Sequence, residues 1–199
     1  MSASYSTLIG ALELAQRLHD PDWIVFDCRF DLTDPAFGRQ AYAGGHVPGA
    51  FFLDLDDDLS GAKTGSNGRH PLPDPAWLAA RLAACGVGNH TQVIAYDDAS
   101  GMFAARLWWL LRWFGHRRVA VLDGGLRAWL AAGQALAEAL PEARAATYTL
   151  ALRADRVDAQ YVRQHLGQPD MVLIDARSPD RFRGENEVLD PVGGHIPGA

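Results

Sequence analysis

Three short apolar runs, each reaching an aspartate, set the rhythm of the chain: WIVFD (Trp23–Asp27), QVIAYD (Gln92–Asp97) and RVAVLDGG (Arg118–Gly125). Their apolar positions are continuous rather than alternating, as expected of strands covered on both faces of a parallel sheet. Between them lie helical patterns, Asp74–Gly86 and Ser100–Gly115, each closed by a glycine after its last apolar residue. Asp98 or Ser100 is expected to cap the second. LRAWLAAG (Leu126–Gly133) follows the third run and ends the same way. Strands alternating with helices predict an α/β architecture, a central mainly parallel sheet flanked by helices on both faces. Trp108, Trp109 and Trp113 share one helix at near-helical spacing and read as packing residues.

The pattern then repeats. GGHVPGA (Gly44–Ala50) recurs as GGHIPGA (Gly193–Ala199), and WIVFDCRF (Trp23–Phe30) has a counterpart in MVLIDARS (Met171–Ser178). Asp27 and Asp175 are 148 positions apart, and His46 and His195 are 149 apart. An offset held within one residue over two separate motifs predicts two copies of one unit of about 150 residues, the second represented by its opening third. Pro and Gly after the histidine are turn formers. The heptapeptide is therefore expected to lead from a loop into a short strand at AFFLDLDD. The expected organisation is a first domain over 1–135, a linker over 136–155 with no clean period, and an incomplete second domain over 156–199.

Composition narrows the function classes. The 199 residues are 48% hydrophobic and 21% charged, with a net charge of −6 and no polybasic run. Nucleic acid and an anionic membrane surface are poor partners for such a chain. No apolar run approaches the ~18 residues of a membrane span, and the N-terminus lacks the pattern of a signal peptide. Two cysteines, Cys28 and Cys85, are expected to be free thiols in a reducing cytoplasm. No HExxH or zinc-finger spacing occurs, no Gly-x-Gly-x-x-Gly or P-loop pattern is present, and neither cysteine is followed by arginine at phosphatase spacing. No metal or cofactor is expected.

Taken together, DCRF…GRQAYAGGHVPGAFFLDL, VIAYDDASGMFAARLWWLLRWFGH, VAVLDGGLRAW and LIDARSPDRFRGEN…GGHIPGA resemble the tandem-domain rhodanese-type sulfurtransferases, which act on thiosulfate or 3-mercaptopyruvate. The resemblance runs along nearly the whole chain. It implies a catalytically silent first domain and a second domain whose loop cysteine becomes a persulfide and passes sulfur to cyanide or a thiol. The first-domain loop that matches the cysteine position holds Asp97 and Asp98 instead. In the second domain the repeat offset would put that cysteine at about position 246, past Ala199. By the same resemblance Arg181, with Arg177 beside it, binds the anionic donor. His46, with Asp34, is an auxiliary candidate for proton transfer, weighed against a His that only satisfies loop hydrogen bonds. The expected partners are a small-molecule sulfur donor and a thiol or cyanide acceptor, for a monomer.

Two rivals stand beside this reading. One is a non-catalytic rhodanese-like module that binds or regulates a partner, favoured for this chain by the missing loop cysteine. The other is a sulfur relay through Cys28 or Cys85. Cys28 occupies a position where the second copy has Ala176, and Cys85 ends an apolar helix, so both are expected to be structural.

Overall fold

The computed structural model describes residues 4–199, which divide into two compact units, one running through Arg153 and the other from Ala154 to Ala199. In the first unit the chain forms, in order, β1 (Leu8–Ile9), α1 (Ala11–Ala15), β2 (Trp23–Asp27), α2 (Phe37–Ala43), β3 (Phe51–Phe52), α3 (Pro75–Ala84), β4 (Gln92–Tyr96), α4 (Ala104–Trp113), β5 (Val119–Leu122) and α5 (Gly125–Ala131). All strand pairs are parallel, in the order β1-β5-β4-β2-β3. The α/β expectation and the three central strands hold.

Burial explains why those runs lack alternation. In β4, Val93 and Ala95 face a cluster containing Leu78 and Leu82 of α3 and Leu107, Leu110 and Leu111 of α4. Ile94 and Tyr96 face the other cluster, with Leu14 of α1 and Leu126 and Trp129 of α5. Every residue of β4 is buried, so each must be apolar or have its polar atoms bonded. Trp113 is buried in the first cluster, with Trp108 and Trp109 packed against it.

The helix ends follow the sequence signals in part. Asp74 caps α3 by accepting from Trp77 N at 2.8 Å, with Pro75 at the first helical position. The cap expected of Asp98 or Ser100 is supplied instead by Asp97, whose carboxylate accepts from Phe103 N and Ala104 N, both at 2.8 Å. The helix accordingly starts at Ala104, four residues later than the pattern suggested. Asp97 wins because it ends a strand aimed at the helix start and is completely buried.

Of the segment 136–155 expected as a linker, residues 136–153 lie on the first unit. His46 and Ala137 exchange backbone hydrogen bonds of 2.9 Å in both directions. Asn89 brackets Thr149 through its side-chain amide, and Ala151 N and Arg153 N donate to Phe114 O and Trp113 O. Tyr148 and Leu150 pack on the core.

The second unit contains α6 (Ala159–His165) and α7 (Pro179–Arg183) and no strand among the described residues. The expected strand at Met171–Asp175 is unpaired, with Val172 and Ile174 82% and 81% exposed. A strand is defined by its neighbours' hydrogen bonds, and residues 154–199 supply none to this run.

Candidate functional site

Parallel α/β sheets place ligands outside the carboxyl ends of their strands, and there the loop after β4 closes on itself. One oxygen of Asp97 accepts from Ala99 N at 2.9 Å and Gly101 N at 2.8 Å, and the other accepts from Phe103 N and Ala104 N at 2.8 Å each. Four converging N–H groups make an anion cradle, and the protein's own carboxylate fills it. Holding this ring requires Ser100 at φ 60°, a left-handed conformation uncommon outside glycine. The neighbouring turn into α5 approaches closely: Leu126 N donates to Asp97 O at 2.8 Å. A Cβ on Gly125 would come within 2.3 Å of that same oxygen, which explains the second glycine of the DGG turn. A cavity of about 300 Å³ adjoins the loop, lined by residues including Asp98, Ser100, Asp123 and Arg127.

The carboxyl end of β2 carries a second construction. Arg29 pairs with both oxygens of Asp27, the shortest contact being 2.6 Å, and donates to Gly45 O at 2.7 Å. Tyr96 donates its hydroxyl to Asp27 at 2.7 Å and accepts from Val47 N. Two strand ends are thereby tied to the loop that carries the first heptapeptide. His46 in that loop is fully buried and stacked on Tyr42 at 3.9 Å. Its ring nitrogens face Tyr42 O at 2.8 Å and Ala139 O at 3.2 Å. Asp34 lies elsewhere, in an exposed turn where its carboxylate accepts from Ala36 N. The structure does not bring these two auxiliary candidates together.

The recurring motifs in residues 154–199 build the same local geometry. Arg177 pairs with Asp175 at 2.6 Å and donates to Gly194 O at 2.5 Å. His195 stacks on Phe182 at 3.7 Å, with Nδ1 facing Phe182 O at 2.7 Å. Tyr42 precedes its histidine by four residues and Phe182 by thirteen, so one contact is reached from two different loop lengths. Arg177 thus has a clear structural task.

Arg181 is engaged differently. Its guanidinium forms a fork with Glu187, Nε to Oε2 at 3.0 Å and Nη2 to Oε1 at 3.0 Å, and Nη2 also reaches Asp190 at 3.0 Å. Arg177 Nη1 lies 3.6 Å from the same Glu187 carboxylate. One carboxylate, its side chain only 5% exposed, therefore sits between both donor-binding candidates. Backbone hydrogen bonds from Leu189 and the fork from Arg181 pull Glu187 down to about 2. Sequence reasoning missed Glu187; its signal was an acidic residue in the loop between two arginines and the repeated heptapeptide.

The cysteines are both buried. Burial pushes the Cys28 thiol well up, with the nearby Asp27 charge adding to it. Burial also raises Cys85, although Arg81 Nη1 donates to its sulfur at 3.0 Å. Neither is in a state suited to nucleophilic attack.

Comparison with known proteins decides the family, because residues 10–132 match the rhodanese-like domain. The chain belongs to the rhodanese family. It is 51% identical over 199 residues to a Pseudomonas aeruginosa protein named "Probable 3-mercaptopyruvate sulfurtransferase", covering 98% of this chain and 70% of the relative. It is 36% identical over 198 residues to the thiosulfate sulfurtransferase of Azotobacter vinelandii, covering 99% and 69%. Among solved structures, Escherichia coli SseA, described as a 3-mercaptopyruvate sulfotransferase, superposes with a TM-score of 0.83 at 32% identity over 98% of this chain and 73% of that one. The 3-mercaptopyruvate sulfurtransferase of Leishmania major gives 0.81 at 31% identity, with 97% of this chain and 53% of that one covered. By family the chain is a sulfurtransferase. No helix among its described residues is long and apolar enough to cross a membrane.

Proposed function

We propose that this chain serves transfer of a sulfane sulfur from thiosulfate or 3-mercaptopyruvate to cyanide or a thiol, contributing a silent first domain and the donor-binding arginines of a second. In the reaction a cysteine thiolate attacks the outer sulfur of thiosulfate or the thiol sulfur of 3-mercaptopyruvate. An S–S bond forms at the enzyme while the S–S bond of thiosulfate breaks to release sulfite, or the C–S bond of 3-mercaptopyruvate breaks to release the enolate of pyruvate, which takes a proton from solvent. The acceptor then takes the outer sulfur and the thiolate returns.

The observation that carries this reading is the N–H cradle occupied by Asp97. Such a cradle suits a thiolate or persulfide. With a carboxylate in that position the domain keeps the receptor and lacks the nucleophile. Arg181, assisted by Arg177, is the residue we assign to the anionic donor, since a planar guanidinium matches paired oxygens. His46 has its ring nitrogens committed to carbonyl oxygens and Asp34 is not its partner, so the proposal gives neither a step.

The test is twofold. Thiosulfate binding by the 199-residue chain, read by calorimetry, is expected to be lost in Arg181→Gln. Thiocyanate formation from cyanide with either donor is expected to stay at the blank. Turnover that disappears in Cys85→Ser or Cys28→Ser would transfer the chemistry to a relay cysteine and end the silent-domain assignment. Absence of donor binding would favour the non-catalytic module instead, a reading that the buried cysteines also support.

A further inference from the structure

We infer that Glu187 is a built-in competitor for the sulfur donor, an internal anion that must leave the two guanidinium groups before an external one binds. The inference rests on the assignment of Arg181 to the donor. The carboxylate presents two coplanar oxygens to the Arg181 fork, with Nη2 to Oε2 at 2.8 Å, and stands 3.6 Å from Arg177 Nη1. A donor oxyanion or carboxylate needs those same contacts, so the two cannot hold them together.

Two features make Glu187 a competitor instead of a simple structural partner. Its Oε1 also accepts from Leu189 N and Asp190 N at 2.9 Å each, so its position is fixed by its own loop and is kept when the arginine is taken away. Arg177, by contrast, keeps its pairing with Asp175 and its bond to Gly194 O independently of Glu187. Exchange of Glu187 for a donor therefore needs no rebuilding of the Asp175–Arg177 tie. It needs the Glu187 side chain to rotate away from Arg181 and to give up its bonds from Leu189 N and Asp190 N, leaving a guanidinium whose remaining partner is Asp190. The loop residue thus sets donor affinity, and through it the donor concentration at which the site fills.

The experiment measures thiosulfate affinity by calorimetry for the 199-residue chain and for Glu187→Gln, Glu187→Ala, Glu187→Asp and Arg181→Gln. Sulfate serves as an oxyanion without a sulfane sulfur. Removing the competing charge is expected to tighten thiosulfate and sulfate alike by roughly five- to tenfold in Glu187→Gln and Glu187→Ala, with Glu187→Asp close to the parent. The Ala variant guards against a Gln side chain that simply re-forms the fork. Equal or weaker binding in both neutral variants, with binding still abolished in Arg181→Gln, overturns the competitor and leaves the donor assignment standing. Undiminished binding in Arg181→Gln, or none in any protein, overturns the donor assignment and the competitor with it.

Discussion

Asp27–Arg29–Gly45 and Asp175–Arg177–Gly194 are the same hydrogen-bond device in two settings. The contact distances agree within 0.2 Å, 2.6 and 2.7 Å in the first against 2.6 and 2.5 Å in the second. Burial does not agree. Asp27 and Arg29 are 0% and 5% exposed, whereas the side chains of Asp175 and Arg177 keep 13% and 29%. The first pair sits at the end of a strand with neighbours on both sides and accepts a further bond from Tyr96. The second follows an unpaired run. A three-residue Asp–x–Arg motif can thus dictate its own ion pair, while the energetic weight of that pair depends on what covers it.

Breaking a buried construction should cost most. Asp97→Ala leaves two buried and two part-buried N–H groups without an acceptor and is expected to destabilise the first unit by about 3–4 kcal/mol in urea unfolding followed by tryptophan fluorescence. A loss under about 1 kcal/mol would mean that water replaces the carboxylate.

The comparison itself is tested by truncating both arginines. Arg29→Ala strands a buried carboxylate and is expected to cost about 3–5 kcal/mol. Arg177→Ala should cost clearly less, because its pair keeps more contact with solvent. Similar costs for the two would show that motif geometry, and not burial, sets the energy.

A smaller contrast lies in the glycines that accept the arginine bonds. Gly45 (φ 146°) would place a Cβ 3.2 Å from Leu136 of the packed 136–153 segment, while Gly194 (φ 92°) has nothing within 4 Å. Both substitutions strain the backbone, so Gly45→Ala is expected to exceed Gly194→Ala by about 1 kcal/mol, read from paired denaturation curves. Equal costs would mean that Leu136 yields freely.

The smallest effect is on pH. Burial holds the His116 imidazole below its ordinary value, and it holds His70 down in the same sense. The unfolded chain therefore binds more protons than the folded one just below the ordinary histidine value. The stability contributed by keeping these rings neutral is fully present above about pH 6.5 and is lost as pH falls through the lowered folded values. The first unit's urea midpoint should drop between pH 7 and pH 5, and His116→Gln should flatten that drop. A midpoint that rises on acidification would reverse the sign and discard the account.

Strand and helix placement was legible wherever local pattern and final environment agree. The runs at Trp23, Gln92 and Val119 are apolar because both sheet faces are covered, and the glycines after α3, α4 and α5 stop helices by their own conformational freedom. β1 was not legible, since two residues carry no period and become a strand only by pairing with Val121 and Leu122. The anion cradle was half legible: the sequence offered an aspartate where a nucleophile was expected. Which of Asp97, Asp98 and Ser100 caps the helix depended on the direction in which β4 delivers the chain.

The sequence by itself determined the α/β class, the repeat, the family resemblance and the Asp–x–Arg fork, because each is set within a few neighbouring residues. Tertiary structure decided what those pieces face. It gave Arg29 a buried carboxylate and Arg177 a partly covered one, set Asp97 inside four N–H groups, and brought Glu187 across its loop onto Arg181. Hydrogen-bond partners within a turn are fixed by chain connectivity, whereas burial is fixed only when distant segments meet.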